Sequence, residues 1–114
     1  MKTFNDPSLV IELAASCFAA LGSKQRLAVL KILVRAGPEG LSIGELGERS
    51  GVTGSTLTHH VKILTHSGLV VQKKQGRSII CAAIAYEKIQ ILSEFLLNQC
   101  CADSDIPCKE HSHG

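Results

Sequence analysis

The sequence predicts a mainly α-helical fold that carries one β-hairpin, an α+β class with four helices before the hairpin and one after it. Apolar residues recur at three-four spacing in successive segments, glycines separate these segments, and one pair of strand-like segments flanks a glycine turn. The 114 residues fit one domain with a modest core. A hydrophobic content of 45% excludes a disordered chain, and an aromatic content of only 4% predicts an aliphatic core.

Two helices are predicted in the first third of the chain. The first extends from about Ser8 to Leu21 and ends at Gly22. The second covers Ser23 to Ala36, with Ser23 as its cap, and residues 37–40 break it. The first helix carries Leu9, Val10, Leu13, Ala14, Cys17, Phe18 and Leu21 at the spacing of one apolar face, and the second carries Leu27, Leu30, Ile32, Leu33 and Val34.

The next two helices are short and lie close together in the sequence. Ser42 to Ser50 forms the third, and Ser42 and Glu45 have the spacing of a capping box. A tight turn over residues 51–54 leads to a fourth helix at about Ser55 to Ser67. This helix has a narrow apolar stripe of Leu57, Val61 and Leu64, and its opposite face carries Ser55, Thr56, Thr58, His59, Lys62 and His66.

A hairpin and a final helix complete the pattern. Residues 69–74 and 78–83 are predicted as strands joined by a turn at residues 75–77. The last helix is predicted from Tyr86 to Cys101, and a polar tail follows it. We therefore divide the chain into a folded unit at residues 1–101 and a tail at residues 102–114.

The third and fourth helices, with the turn between them, form a helix-turn-helix that is typical of DNA-binding proteins. The outward side chains of the fourth helix are short donors and acceptors that can reach base edges. No acidic residue lies between Thr53 and His60, so nothing there repels phosphates. Lys73, Lys74 and Arg77 at the hairpin tip can hold the flanking DNA backbone. The complete pattern predicts a winged helix-turn-helix.

The chain resembles the ArsR/SmtB family of winged-helix metal-sensing repressors over about Phe18 to Leu97. The resemblance rests on four stretches, namely ALGSKQRL at 20–27, LSIGEL at 41–46, STLTHHVKIL at 55–64, and SGLV at 67–70 with Gly76-Arg77. It implies a homodimer formed through the first and last helices, with Thr58 and His59 facing bases and Arg77 on the wing.

The apolar faces of the terminal helices agree with such a dimer. The first helix is almost entirely apolar or small, and the last carries Ile89, Leu92, Phe95 and Leu96 on one face, with Ile91 and Leu97 beside it. A two-fold axis between two copies would cover both faces. It would also place two recognition helices about 34 Å apart, so the expected partner is double-stranded operator DNA that is nearly palindromic.

Five cysteines raise the question of what the chain senses, because three of them lie in the last fifteen residues. Cys100 and Cys101 are expected at the end of the last helix, and the segment up to Cys108 is long enough to fold back. Three thiols suit a soft ion, and trivalent arsenic (arsenite) or antimony (antimonite) takes three thiolates without a fourth ligand. The family resemblance supports this site, because some arsenic-responsive members carry a cysteine pair and a third cysteine in this region.

Other interpretations of these cysteines remain open. Zinc or cadmium could use His111 or His113 as a fourth ligand, and Cys100 or Cys101 could form a redox-sensing disulfide with Cys108. The three cysteines could also be incidental, and His111 and His113 a solvated end. The chain lacks two other patterns of the family, a Cys-x-Cys on the third helix and histidines on the last helix.

Three further residues are interpreted as structural. His60 lies beside the buried stripe of the fourth helix, which favours a packed and hydrogen-bonded histidine over a base contact. Cys17 and Cys81 occupy apolar positions and are expected to be small buried hydrophobes.

The sequence also excludes several classes of protein. No apolar stretch approaches the length of a membrane span, and the N-terminal residues lack the pattern of a signal peptide, so no membrane partner and a cytoplasmic location are expected. No Cys-x-x-Cys or phosphate-binding glycine loop is present, which argues against a reductase or other enzyme. A dimerisation module that binds no DNA is the remaining rival, and a salt-dependent gel shift would separate it.

Overall fold

The computed structural model describes residues 7–52 and 54–105, with side chains from Val10 onward. Its elements confirm the predicted class of helices with one hairpin, a winged helix-turn-helix. In chain order they are α1 (Pro7–Ala20), α2 (Lys24–Ala36), β1 (Leu41–Ser42), α3 (Ile43–Ser50), α4 (Gly54–His66), β2 (Val70–Gln75), β3 (Ser78–Ala83) and α5 (Tyr86–Phe95). No helix in the described part of the chain combines the length and apolarity that a membrane crossing requires.

The core is aliphatic and lies between α2, α3, α4 and the sheet. Its most deeply buried side chains are Val29, Leu33, Leu46, Leu57, Val61, Leu64, Leu69, Val70 and Cys81. Cys81 is fully buried, as predicted, whereas Cys17, which was also predicted to be buried, is only half-buried. Burial raises the pKa of both thiols.

The capping box that starts α3 is confirmed. The Ser42 hydroxyl accepts from the Glu45 backbone N–H at 3.2 Å, and the Glu45 carboxylate accepts from the Ser42 N–H at 3.0 Å. At the other end Gly51 takes the left-handed conformation, with a φ of 74°, and its N–H donates to Gly47 at 2.9 Å. These two ends fix where the helix-turn-helix bends.

The sheet contains a third strand that the sequence did not predict. Its order is β1-β3-β2, all antiparallel, with Leu41 opposite Cys81 and Ser42 opposite Ile80. Gly40 precedes β1 with a φ of 73°, and a Cβ there would overlap the Cys81 carbonyl oxygen. The segment before α3 is therefore attached to the wing as well as to α2.

The end predicted for the last helix was wrong. α5 ends at Phe95 rather than Cys101, and beyond it backbone bonds run from residue i to residue i−3, as from Cys100 to Leu97 at 2.8 Å. Gln99 and Cys101 both have a φ of 64°, a value that few residues other than glycine adopt. Cys100 and Cys101 thus lie in a series of turns.

The apolar residues of α2 divide between the core and the surface. Leu27 and Val34 are 45% and 49% exposed, whereas Val29 is fully buried. The buried stripe consists of Val29, Leu30 and Leu33 because these positions follow i, i+1 and i+4 on the face turned toward α3 and α4.

Candidate nucleic-acid interface and vicinal cysteines

The outer face of α4 is the candidate surface for reading DNA. Leu57, Val61 and Leu64 are at most 2% exposed, so they fix the rotation of the helix about its axis. The five side chains predicted to contact DNA from this helix are all exposed: Ser55, Thr56, Thr58, His59 and Lys62. The structure therefore brings them together on one surface.

The start of α4 is suited to a negatively charged partner. Its first turn holds no acidic residue, and helix N-termini carry unpaired N–H groups and a partial positive charge. The Thr58 hydroxyl donates to the Gly54 carbonyl at 3.3 Å. In this rotamer the Thr58 oxygen offers its lone pairs to donors, such as the amino groups of adenine and cytosine.

His60 is packed and hydrogen-bonded, as predicted. Only 8% of its surface is exposed, in contrast to its exposed neighbour His59. One ring nitrogen, Nε2, lies 2.9 Å from Gln25 Oε1, and the other, Nδ1, lies 3.4 Å from an Arg26 guanidinium nitrogen. Burial, the Arg26 charge and His59 lower the pKa of His60, so the neutral ring is favoured.

The wing carries its three predicted cations in exposed positions. β2 and β3 pair in register up to Gln75 opposite Ser78, so Gly76 and Arg77 form a two-residue loop. Lys73 and Lys74 are neighbours on one strand, and side chains alternate between the faces of a strand. The lysines therefore leave the ribbon on opposite sides, and Lys74 shares its side with the buried Val70.

The sequence interpretation missed the roles of Gln25 and Arg26. Arg26 begins the spacing i, i+3, i+4, i+7 that continues with Val29, Leu30 and Leu33. An arginine on a buried stripe is a signal for a specific partner, since buried charges are paired or hydrogen-bonded. That partner, His60, lies 34 residues away and is not visible from local sequence.

The two vicinal cysteines bring their sulfurs close together. Cys100 Sγ and Cys101 Sγ are 3.4 Å apart, Cys100 is half-buried, and Cys101 is exposed. The third predicted ligand, Cys108, lies outside the described residues, as do His111 and His113. Among residues 7–52 and 54–105, no three His, Cys, Asp or Glu side chains form a metal-binding group. The three-cysteine site thus stays a prediction.

Comparison with known proteins finds a helix-turn-helix domain in the region that contains this surface. Residues 21–73 match a family described as a helix-turn-helix domain. The chain is 36% identical over 67 residues to the uncharacterized HTH-type transcriptional regulator YceK of Bacillus subtilis, covering 59% of this chain and 66% of that one. It is 36% identical over 80 residues to the HTH-type transcriptional regulator NmtR of Mycobacterium tuberculosis, covering 70% and 64%. The chain thus spans slightly less than two thirds of both relatives.

Solved structures of other proteins have the same fold over most of the chain. An ArsR-like transcriptional regulator from Rhodococcus superposes with a TM-score of 0.68 at 28% identity, covering 84% of this chain and 86% of that one. The homodimeric winged helix-turn-helix DNA-binding domain of a possible ArsR-family regulator from Mycobacterium bovis shares the fold, with a TM-score of 0.65 at 20% identity over 94% and 91%. The chain is thus similar in sequence to HTH-type transcriptional regulators and shares the winged helix-turn-helix fold of ArsR-like regulators.

Proposed function

We propose that the chain is a dimeric repressor that binds a nearly palindromic operator and is released from it by trivalent arsenic, or antimony, bound to Cys100, Cys101 and Cys108. The observation that carries the DNA-binding part is the exposed polar face of α4, held by three buried leucine and valine side chains and flanked by a cationic wing. The curated relatives are HTH-type transcriptional regulators, which supports the same function.

The proposed dimer accounts for apolar surface that one copy leaves exposed. Ile11, Phe18 and Ile91 are 58%, 36% and 44% exposed, and Leu96 and Leu97 are 71% and 65% exposed. An apolar cavity of about 360 Å³, with Ile91 in its wall, opens between α1 and α5. A second copy would cover this surface, and the Mycobacterium bovis neighbour is itself homodimeric. Two α4 helices about one DNA turn apart would then read two half-sites.

The spacing of the vicinal sulfurs allows both to bind one ion. With a metal–thiolate bond of about 2.3 Å, sulfurs 3.4 Å apart subtend an angle of about 95° at a shared atom. An atom with three ligands and a lone pair is pyramidal and accommodates such an angle.

The net charge of the complex favours trivalent arsenic over a divalent metal ion. Arsenite, As(OH)₃, and three thiols give a neutral As(SR)₃ adduct and three waters, so no proton or electron is left over. A divalent ion with three thiolates would add a negative charge beside Asp103 and Asp105, which are exposed. A helix C-terminus next to the cysteines would add partial negative charge, but α5 ends five residues before Cys100, beyond the range of that effect.

Release would follow from the position of the cysteines. They lie in the turns that follow α5, and α5 belongs to the proposed dimer interface. Binding of one ion by all three sulfurs would pull on these turns and so shift α5 and the spacing of the two α4 helices. A difference of about 1–3 kcal/mol between the two states is enough for a useful switch.

The DNA-binding part is tested with duplexes that the full chain selects from a random pool. Fluorescence anisotropy should give an affinity that falls steeply with salt, and Arg77→Gln should reduce the slope of log K against log salt by about 0.9. Thr58→Val should instead reduce the preference for the selected duplex over an unrelated one. Lys31→Gln, on the exposed side of α2, removes one positive charge as Arg77→Gln does and is the control for that variant. Selection of no duplex and a salt-independent affinity would contradict the proposal.

The inducer part is tested by titrating the protein–DNA complex with arsenite, antimonite, cadmium, zinc and a thiol oxidant. We expect arsenite to release DNA at the lowest concentration and Cys100→Ser, Cys101→Ser and Cys108→Ser each to abolish release. Cys17→Ala, which removes a thiol from another part of the chain, should leave release unchanged. Release by arsenite from all three serine variants would overturn the three-cysteine site, and release by oxidant alone would favour a redox sensor.

A further inference from the structure

A single arginine connects the end of α1 to α4. Arg26 Nε donates to the Ala20 carbonyl at 2.7 Å, and Arg26 Nη1 lies 3.4 Å from His60 Nδ1. Ala20 is the last residue of α1, where carbonyls lack partners within the helix. The guanidinium group, which belongs to α2, therefore contacts both of the other helices at once.

The same contacts define the protonation state of His60. A guanidinium group only donates, so Nδ1 must accept and carry no proton. The proton of the neutral ring then lies on Nε2, which donates to Gln25 Oε1 at 2.9 Å. Both ring nitrogens therefore form hydrogen bonds, one with each of two consecutive residues of α2. The tautomer is assigned from this network.

We propose that Gln25 and Arg26 are positioning residues for DNA recognition, which hold α4 in its reading orientation through His60 and join it to the end of α1. This inference rests on the proposed DNA binding. His60 shares the buried side of α4 with Leu57, Val61 and Leu64. Apolar contacts alone leave a helix free to slide or rotate slightly, whereas two directed hydrogen bonds to one ring fix both its position and its rotation.

The geometry argues against Arg26 as a direct phosphate contact. Its side chain is half-buried, and two of its nitrogens already face the Ala20 carbonyl and the His60 ring. A residue that binds phosphate contributes to the salt dependence of binding, while a positioning residue does not. Salt dependence therefore distinguishes the two roles.

The central experiment compares Arg26→Gln with Arg35→Gln in the full chain. Arg35 lies on the same helix and is exposed, so both variants lose one positive charge. We expect Arg26→Gln to reduce the preference for the selected duplex over an unrelated duplex by about tenfold or more, a change of about 1.4 kcal/mol, with an unchanged salt slope. Arg35→Gln should keep the preference.

A second variant tests the same contact in case Arg26→Gln does not fold. Gln25 is exposed, so Gln25→Met should fold normally, as checked by circular dichroism, while it removes the acceptor for His60 Nε2. We expect this variant to lose less preference for the selected duplex than Arg26→Gln does, again without a change in the slope of log K against log salt.

A pH profile gives a readout that loss of packing would not produce. The groups that face the His60 ring are Gln25 and Arg26 from α2 and the neighbouring His59 on α4. Protonation would place an N–H at Nδ1 against the guanidinium group. Because the pKa of His60 is lowered, the wild type should lose preference only at a pH below about 6.5, the ordinary histidine value, and His60→Gln should lack this step.

The outcomes separate this inference from the proposed function. If the wild type discriminates between duplexes and Arg26→Gln discriminates equally well, the positioning role is wrong. A salt slope lower by about 0.9, with equal losses on both duplexes, would make Arg26 a phosphate contact and also overturn it. If the wild type prefers no duplex, both proposals fail.

Discussion

At the scale of single residues, Gly40 is the position where a small change should have the largest effect. A Cβ there would lie 2.9 Å from the Cys81 carbonyl carbon and overlap its oxygen, and the φ of 73° is itself unfavourable for alanine. Both atoms belong to the backbone of β3, so they cannot move aside like a side chain. Gly40→Ala should lower the free energy of unfolding by at least about 2 kcal/mol.

Gly51 provides the control for this prediction. Its φ of 74° nearly equals that of Gly40, but a Cβ at Gly51 would meet no atom of the described residues within 4 Å, so Gly51→Ala tests the dihedral cost alone. Urea denaturation should show a clearly smaller loss for Gly51→Ala, about 1 kcal/mol. Equal losses for both variants would mean that β1 and β3 separate easily.

At the scale of elements, the start of α3 depends on its capping box. Ser42→Ala removes the acceptor for the Glu45 N–H and should lower the free energy of unfolding by about 1 kcal/mol. Thermal denaturation should show a corresponding decrease of about 4–8 °C. Ser93→Ala, at an exposed position within α5, removes a hydroxyl that caps no helix start and is the control.

The capping box also predicts a pH dependence. The hydrogen bonds from the Ser42 N–H and hydroxyl lower the pKa of Glu45. A lowered carboxyl pKa in the folded state stabilises the protein above the unfolded value, about 4.3, and this contribution disappears as the pH falls through the folded value. The stability difference between wild type and Ser42→Ala should therefore be largest near neutral pH and shrink in acid. A pH-independent difference would show that Glu45 does not take part.

Elements with local signals could be predicted from the sequence. The capping box, the stripe on α4 and the glycine turn of the hairpin each depend on residues within seven positions of one another, and all three are confirmed. β1 has only two residues and exists because Leu41 pairs with Cys81, forty residues away. No pattern in the sequence around Leu41 reports that pairing.

The end of α5 illustrates a different difficulty. Residues 96–101 contain no glycine or proline, and Asn98 is the one residue among them that often ends a helix, a weak signal that the sequence interpretation passed over. The chain nevertheless changes to bonds between residues three apart, with Gln99 and Cys101 at positive φ.

The candidate site also combines local and long-range features. The outward residues of α4 follow from periodicity, but the Arg26–His60 contact requires the packed fold.

At the scale of the whole molecule, the apolar surface on α1 and α5 predicts association. Ile91→Lys places a charge in the apolar cavity wall and should convert the proposed dimer to a monomer at micromolar concentration, as measured by analytical ultracentrifugation. Gln90→Lys adds the same charge to α5 next to Glu94, with which Gln90 already bonds, and should remain dimeric. A monomeric wild type at this concentration would contradict the dimer.

The uneven burial of the sulfur atoms has a practical consequence for chemistry on the intact protein. Cys81 is sealed in the interior and Cys17 is half-buried with its thiol donating to the Ser67 carbonyl, while Cys101 faces solvent. Because alkylating reagents attack the thiolate, the raised pKa values of the two inner thiols slow them further. A brief treatment with iodoacetamide should consequently label Cys101 well before Cys81, so the proposed three-cysteine site can be modified while the interior thiol stays unmodified.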